Sequence, residues 1–600
     1  MLRTACRVRL WVMALLRSSQ AGIMAILETL RAAPWGQHSY QFLGGVREKP
    51  YYYHVRMTKR TWAVAFSVAA VIFFLRCFPL LPAGSNPIAN ERWCDHPISK
   101  LTSDASQSFN ETLMRQSRSL KDAVTEYRRR YNMPPPPHFD KWYEFATQRN
   151  TILIDEYDTI HRSLQPFWGL SPSTIRSRVR EDLGRDNVVM GISIRSGEPI
   201  HLGNGQGDYQ GNATMRQFSK FAQWLPDMDL VFNVHDEPRV VVPHEELHRL
   251  VTKGYTAQAR LNGNSLVNYF PGNNISMEPI REVFTTRYLN LRQQETWLYC
   301  RLSCPPDSPA MDLDGNAPDN TSTFAIEPLG SPSLKHILGI FDRPNAFKLT
   351  NELVPMFSTS HLSSFQDIPI PSPWYYEKIG GYQSDHDIPW ESRKGQIYWR
   401  GGSTGGLSHD GSWRTLQRQR VVASLEHKLG HPILERKAES TCSIGGDEGW
   451  KVRRANQTEV SGYFNAHFVA IVFCEGQDCD DEKMFFDVMG RDDENEAWKY
   501  RYLLDMDGHA YSGRFYAFLH SKSVPFKLTF FREWHENILF PWVHYVPLNK
   551  DGNEIAEIGA SSSRILLGRR LPEPLVRQGS RGLLRHSGMK TWMSICSGLC

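Results

Sequence analysis

KYRYLLDMDGHAYSGRFYAFLHSKSVPFKLTFF, residues 499–531, sets a short apolar run, a turn, a helical segment and a second apolar run in succession. Tyr502 to Leu504 reads as a strand, Asp505-Met506-Asp507-Gly508 as the turn after it, and Val524 to Phe530 as the next strand. Between them an amphipathic helix is expected to begin near Ser512, a residue suited to an N-cap. Strand, helix and strand at this spacing form the unit of a parallel sheet, so the fold class is α/β. The same alternation recurs on the N-terminal side: Val188 to Ile194, Leu230 to Val234, Ile397 to Trp399 and Phe468 to Phe473 are further buried strands. HFDKWYEFA and ILIDEYDTIHRSLQPFW suggest amphipathic helices that cap the body. Asp367 to Trp374, DIPIPSPW, reads as a stiff connector, and Cys304 to Ser333 as a loop or insertion. Two lobes with a cleft between them follow.

The 600 residues carry Lys+Arg 69 against Asp+Glu 64, a formal charge of +5, with 41% hydrophobic and 22% charged residues. Domains of roughly 100–200 residues would number about two to four at this length. Acidic and basic residues are intermixed, which gives no clustered basic face, so nucleic-acid binding is set aside. The 17 Trp and 23 Tyr suit stacking on sugars or nucleosides as well as core packing.

Thr61 to Leu75, TWAVAFSVAAVIFFL, is free of charge, and Trp62 to Leu81 reaches the length of a membrane span if Arg76 snorkels to an interface. A buried core helix is the alternative. Arg47, Lys49, Arg56, Lys59 and Arg60 precede it, so the N-terminus is expected to be cytosolic and the remainder luminal, as in a single-pass type II protein. Met57-Thr58-Lys59-Arg60 reads as a natural start for a signal anchor, with residues 1–56 as an upstream extension. Luminal chemistry is permitted beyond the span: sequons lie at Asn110, Asn212, Asn274, Asn320 and Asn456, and eight of the ten cysteines follow it. Their pairing is not readable, and Cys300-x3-Cys304 and Cys474-x4-Cys479 lack zinc-site spacing. Glu111 to Asn132 has helical composition and Pro134 to Pro137 stops it, as in a stem.

Three segments could carry chemistry. Leu230 to Val234 runs into His235-Asp236-Glu237-Pro238, and ligands bind at strand C-termini in α/β sheets. Asp236 there is either a general base or a cap for the turn; Asp227-x-Asp229 is a weaker, metal-like pair. IYWRGGSTGG places Arg400 and a glycine-rich turn after a strand, either an anion cradle or a flexible surface turn. The helix SWRTLQRQRVVASLEHKL then offers Arg414, Arg418 and Arg420, the first two as i,i+4 neighbours. In the third segment, amides from Ser512 to Arg514 with the Arg514 charge could hold a phosphate, and Glu533 could accept from sugar or ribose hydroxyls.

HFDKWYEFA, DMDLVFNVHDEP, IYWRGGSTGG, KYRYLLDMDGHAYSGRF and EWHENILFPWVHYVPL together resemble, in order, the signatures of glycosyltransferase family 90, the capsule-associated protein family of fungal xylosyltransferases and animal protein O-glucosyltransferases. The resemblance covers His138 to Leu548. It implies a GT-B-like fold, two Rossmann-like lobes that bind a UDP-sugar between them, and an inverting transfer of xylose or glucose to a glycan or protein hydroxyl, for example as a β-1,2-xylosyltransferase, with no obligatory metal or other cofactor. By motif, Asp236 matches the catalytic base. Ser512 and Arg514, with His509, Ala510, Tyr511 and Gly513, match the segment around the UDP diphosphate. Arg400 heads the Arg-Gly motif, Gly402 or Ser403 takes the next ligand-contacting place, and a further arginine falls on Arg418 or Arg420. Asp505 and Asp507 stand where the animal enzymes have Asn and Arg, closer to the fungal branch, which keeps open a role for a divalent cation. The peptide-recognition segments of the O-glucosyltransferases have no clear counterpart.

The expected layout is a cytosolic segment 1–61, an anchor 62–81, a stem 82–137, an N-terminal catalytic lobe 138–373, a C-terminal nucleotide-binding lobe 374–558 and an atypical tail 559–600. The tail is polar and Gly/Ser-rich where the family has helices. Back-translating Met589 to Cys600 two bases forward can give an ending like the family's, so a shifted reading frame is expected there. The anchor, with no C-terminal retrieval tetrapeptide, points to the Golgi membrane, or the endoplasmic reticulum. A membrane-anchored glycan-binding protein without catalysis is the alternative, and a transferase that uses a metal at Asp505-x-Asp507 is another.

Overall fold

The computed structural model describes residues 96–156, 158–184, 188–202, 208–260, 288–312, 337–376, 381–427, 430–437, 449–550 and 552–565. All fall in one compact unit, 91–600. The chain enters through two helices, Pro97–Arg115 and Leu120–Tyr131, where the sequence suggested one. They are separated because Gln116 is used elsewhere: its side-chain oxygen accepts from the amides of Ile154 (2.7 Å) and Asp155 (2.9 Å). Ser119 then caps the second helix through the Asp122 amide at 3.2 Å. Phe109 is buried between the rings of Phe540 and His544, and His96 meets Glu557 at 2.8 Å. Residues 96–137 of the expected stem are therefore packed on the body, while 82–95 and the expected span 62–81 lie outside the described residues. Among the described residues no helix is long and apolar enough to cross a membrane.

The first sheet begins with β1 (Val189–Arg195), β2 (Glu198–Leu202) and β3 (Met228–Asn233). A ribbon of β4 (Leu289–Asn290) and β5 (Lys348–Leu349) stands aside, and β6 (Met356–Ser358) and β7 (Ile368–Pro369) complete the order β2-β1-β3-β6-β7. β1 is antiparallel to β2 and β3, whereas β3, β6 and β7 are parallel. This sheet is mixed because β1 turns back on itself through Ser196 and Gly197, with φ of 51° and 82°. Two positive-φ residues between paired strands make a tight hairpin whose twist matches its strands.

The second sheet holds the strands read from residues 499–531. β8 (Lys394–Gly402), an outlying ribbon of β9 (His431–Arg436) and β10 (Trp450–Ala455), β11 (Phe464–Ala470), β12 (Tyr500–Met506), β13 (Val524–Leu528) and β14 (Val546–Pro547) follow in turn. The sheet order is β11-β8-β12-β13-β14, and every neighbour is parallel. The architecture is thus α/β with parallel strands in both sheets. β12 and β13 are buried almost throughout, as parallel strands covered on both faces must be. β11 starts four residues before the expected Phe468, because an edge strand with one open face alternates and does not read as an apolar run.

Apolar side chains from both halves of the chain meet in one cluster, where Val241, Trp297 and Phe347 pack with Ala510 and Phe531. Polar ties join them: Ser372 Oγ and the Tyr511 hydroxyl at 2.6 Å, and reciprocal backbone bonds between His361 and Arg532 at 3.0 and 2.7 Å. A backbone-to-backbone contact is added where the Gly339 amide donates to Gly405 O at 2.8 Å. A Cβ on Gly339 would lie 2.0 Å from that oxygen and 2.2 Å from Gly406 Cα. Gly339→Ala should therefore lower stability by about 1–3 kcal/mol, the usual range for overpacking. Thermal melts should show the loss, with Gly462→Ala, whose Cβ meets nothing within 4 Å, as the neutral control; equal melting temperatures would refute the close contact.

Candidate functional site

β3 delivers the chain to a loop, 234–240, that is fixed at both ends. Asn233 organises the turn: its Nδ2 donates to Glu237 O (2.7 Å) and Ser358 Oγ (3.2 Å), and its Oδ1 accepts from the His235 amide (3.0 Å). Asp367 takes the far end, accepting from the amides of Arg239 (3.0 Å) and Val240 (2.8 Å) and from Ser358 Oγ (2.6 Å). The turn needs no cap from Asp236. Its carboxylate is exposed and accepts no hydrogen bond among the described residues, so the capping alternative falls away. Although its surface is exposed, the protein that surrounds it at longer range desolvates it, which raises its pKa. Next to it Glu237 is buried, accepts from the Ala346 amide at 3.1 Å, and is pushed up to about 8 by burial and by the Asp236 charge. Asp227 and Asp229 are committed to Ser196 N and to Ser193 and Arg195, so that pair is structural.

Across from the loop lie the carboxyl ends of β8, β12 and β13. Asp505, in β12, and Glu533 both hold the buried Lys527 of β13, each at 3.2 Å. Burial alone would raise Glu533, but Lys527, His535 and a 2.8 Å bond from the Tyr375 hydroxyl bring it down to about 2. Glu533 is therefore part of the internal frame and not a free acceptor for hydroxyls, contrary to expectation. Asp507 is pushed up to about 7 by burial, against the pull of Lys527. Where Asp505-x-Asp507 suggested a cation, the Lys527 ammonium supplies one, and among the described residues no cluster of three or more His, Cys, Asp or Glu is placed to hold a metal.

Arg418 ties these strand ends together, donating to Asp507 O (2.7 Å), Gly402 O (2.9 Å) and Met506 O (3.1 Å). Burial and the neighbouring Arg514 lower it to about 9. Arg420 lies two residues on, about 200° around the same helix, so Arg418 is the arginine that reaches the strand ends. Arg414 is corrected: the helix begins at Gln417, and Arg414 stacks over Trp413 in the turn before it, exposed and not beside Arg418. Arg514 donates to Arg400 O, one bond for five N–H groups, and lies between the rings of Trp399 and Phe518. Arg400 turns its own guanidinium to Asn465 and Asp492 (2.8 Å each), so it meets Arg514 through its carbonyl. Ser403 is likewise committed, bonded to Val472 O at 2.9 Å, and the carbonyl of Gly402 is taken by Arg418.

The segment after β12 differs from expectation at its helix. The helix is Phe515–His520, with Arg514 as N-cap and no side-chain cap, and Ser512 is buried three residues earlier, its carbonyl accepting from Tyr375 at 3.2 Å. Ala510 is buried and closes the turn through Gly508 N at 2.8 Å, while Gly513 is exposed. His509 has both ring nitrogens buried without a partner, packs edge-on to Phe473 at 4.4 Å, and is lowered to about 4 by burial and Arg418. It lines a cavity of about 10 Å³ with Thr404, Arg418 and Asp507, the size of one water. Burial raises the pKa of Tyr511 and the charge of Asp236 raises it further, while its hydroxyl is tied to Ser372 Oγ at 2.6 Å.

Sequence reading missed Lys527, Tyr375 and Asp367. A lone Lys inside VPFKLTF was the available signal, since a charge in a buried strand demands partners; Tyr375 and Asp367 gave none. Asn110, Asn212 and Asn456 are exposed, and Asn274 and Asn320 lie outside the described residues. Cys474 and Cys479 are disulfide-bonded, while Cys300 and Cys304 are not.

No family model matches the chain. Among curated proteins it is similar to the uncharacterized protein 179R of Invertebrate iridescent virus 6, 26% identical over 186 residues that cover 29% of this chain and 14% of the viral protein. The match spans about one seventh of that protein's length, and its name carries no function.

Glu237 gives the site a pH signature. Between the ordinary carboxylate range and about pH 8 the unfolded chain has released a proton that the folded chain keeps, so stability falls as pH rises. In melts from pH 5 to 9, Glu237→Gln should flatten that fall and be the more stable chain at pH 9 by about 2 kcal/mol or more; parallel curves would mean that Glu237 is ionised when buried.

Proposed function

We propose that this chain is an inverting glycosyltransferase with a GT-B-like pair of lobes, moving xylose or glucose from a UDP-sugar to a hydroxyl of a glycan or glycoprotein, as its resemblance to glycosyltransferase family 90 implies. The observation that carries the reading is the uncommitted Asp236 carboxylate, set on a pinned loop at the end of β3, whose charge is felt by Tyr511 on the segment that bears Arg514. Its raised pKa makes it a stronger base than an ordinary carboxylate. In the reaction Asp236 takes the proton of the acceptor hydroxyl as that oxygen bonds to the anomeric carbon. The bond from that carbon to the diphosphate oxygen breaks on the opposite face, and UDP leaves with its electron pair. Arg514, with four N–H groups uncommitted, offsets the growing diphosphate charge, and Arg418 reinforces the field behind it. The scheme routes no step through a divalent ion, and EDTA inhibition would argue for the metal-dependent alternative. The chain would act as a single-pass type II protein of the Golgi or endoplasmic reticulum membrane.

Purified full chain, offered UDP-xylose, UDP-glucose and UDP-galactose with candidate acceptors, should release UDP from one donor in preference. Asp236→Asn should reduce that release about 10²–10⁴-fold while UDP binding persists, and Arg514→Ala should weaken UDP binding about tenfold or more by calorimetry. Wild-type turnover in Asp236→Asn would remove the base assignment. Glycan binding with no UDP release from any donor would favour the non-catalytic alternative.

A further inference from the structure

Where the helices Leu120–Tyr131, Asp158–Leu164 and His244–Ala259 meet the loop after Glu533, the body forms a half-open cavity of about 470 Å³. Neither Asp236 nor the cations at the strand ends line it. Its charged groups are already matched. Arg130 holds Glu126 (2.7 Å) and Glu156 (3.2 Å), Arg162 faces Glu536 (3.6 Å), and Asp158 Oδ1 accepts from the Tyr131 hydroxyl (2.7 Å). His161 stacks on Tyr131 with ring centroids 4.4 Å apart, and burial lowers its pKa, which leaves the imidazole neutral at neutral pH. A charged ligand would have to break one of these pairs to be compensated; a neutral one would not.

The groups still on offer suit hydroxyls. Asn537 Nδ2 is buried and has no acceptor among the described residues, an orphaned donor of the kind that folded proteins rarely leave. The second carboxylate oxygen of Asp158 is open to a hydroxyl, Arg162 is exposed apart from its loose pair, and Tyr255 is 60% exposed and lines the cavity. A volume of this size lies within the range of small-ligand sites.

We propose that this cavity binds a neutral polyhydroxylated ligand, a mono- or disaccharide unit of a glycan, seated against Tyr255 and hydrogen-bonded by Asn537, Asp158 and Arg162. That the polyol is a sugar rests on the transferase reading; the cavity and its open donors do not. Xylobiose, cellobiose and maltose titrated into the full chain, followed by saturation-transfer NMR and calorimetry, test it. At least one should bind with a millimolar Kd, and Tyr255→Ala and Asn537→Ala should each weaken it about tenfold. Neither variant should lower Tm, because Tyr255 is exposed and the Asn537 amide has no bond to lose, and Asp236→Asn should bind as wild type. No disaccharide binding, binding indifferent to both variants, or displacement by inorganic phosphate would overturn the proposal. UDP release measured in the same preparations separates the two readings. Release without Tyr255-dependent binding would remove this site and leave the transferase, and binding without release from any donor would do the reverse.

Discussion

A single buried ammonium organises the second sheet. Lys527 Nζ reaches Asp505 on the neighbouring strand and Glu533 beyond its own, and lies 3.9 Å from the centroid of the Phe515 ring. Taking three charges out of water is unfavourable unless each is matched, and removing one member of such a set typically costs about 3–5 kcal/mol. The matching here has consequences beyond the trio. Glu533 also receives the Tyr375 hydroxyl, which in turn bonds Ser512 O, so the connector between the two sheets and the segment after β12 are positioned by the same charge. The geometry of β12, β13 and Arg514's helix is over-determined because Lys527 has no other low-energy place to go.

The Asp236 loop and the strand ends of the second sheet are held by different physics. The Asp236 loop is fixed by Asn233, Ser358 and Asp367, whose bonds go to backbone amides, a carbonyl and one another. None of them uses Asp236, so its lone pairs stay open. The strand ends are fixed by charge. Arg514 lowers the pKa of Arg418, Lys527 adds a third cation, and of the three acids nearby Asp507 is pushed up to about 7 by burial. An excess of positive field held rigidly in a water-poor site is the arrangement that favours an arriving anion, since no reorganisation is needed when it binds.

How much of this is legible in sequence depends on whether the cause is local. β12 and β13 read clearly because strands buried on both faces are continuous apolar runs. The hairpin at Ser196-Gly197 is not readable from the sequence, because Glu198-Pro199-Ile200-His201-Leu202 on its far side is half-exposed and not an apolar run. Ser512 misleads as a cap because propensity says that serine suits a helix start, not that this one starts there; Gly508, Ala510 and the Tyr375 bond keep the chain in turns for three more residues. Asp367 and Tyr375 are opaque for a different reason. Asp367 is 128 residues from Arg239 and Tyr375 is 158 from Glu533, so no local pattern names either partner.

The glycine turn after β8 is held differently from the segment packed against it. Ser403 before it is bound to Val472, and Leu407 after it donates to Arg343 O at 2.9 Å. Opposite it, Leu338 and Ile340 are buried in the cluster that contains Ala510 and Phe531, which fixes the 337–341 segment through apolar burial. What lies between these anchors is Thr404-Gly405-Gly406, with both glycines at positive φ, one backbone bond to Gly339, and the Thr404 hydroxyl oxygen accepting from Arg418 at 2.5 Å. A hydrogen bond of this kind contributes about 0.5–1.5 kcal/mol net, and glycines bury no side chain. The turn is thus held by hydrogen bonds and close backbone contact with Gly339, whereas the segment opposite is held by burial in the core. The one-water space beside His509 is therefore walled by two kinds of structure: the turn contributes Thr404 and Gly405, and the apolar segment contributes Ile337 to Ile340.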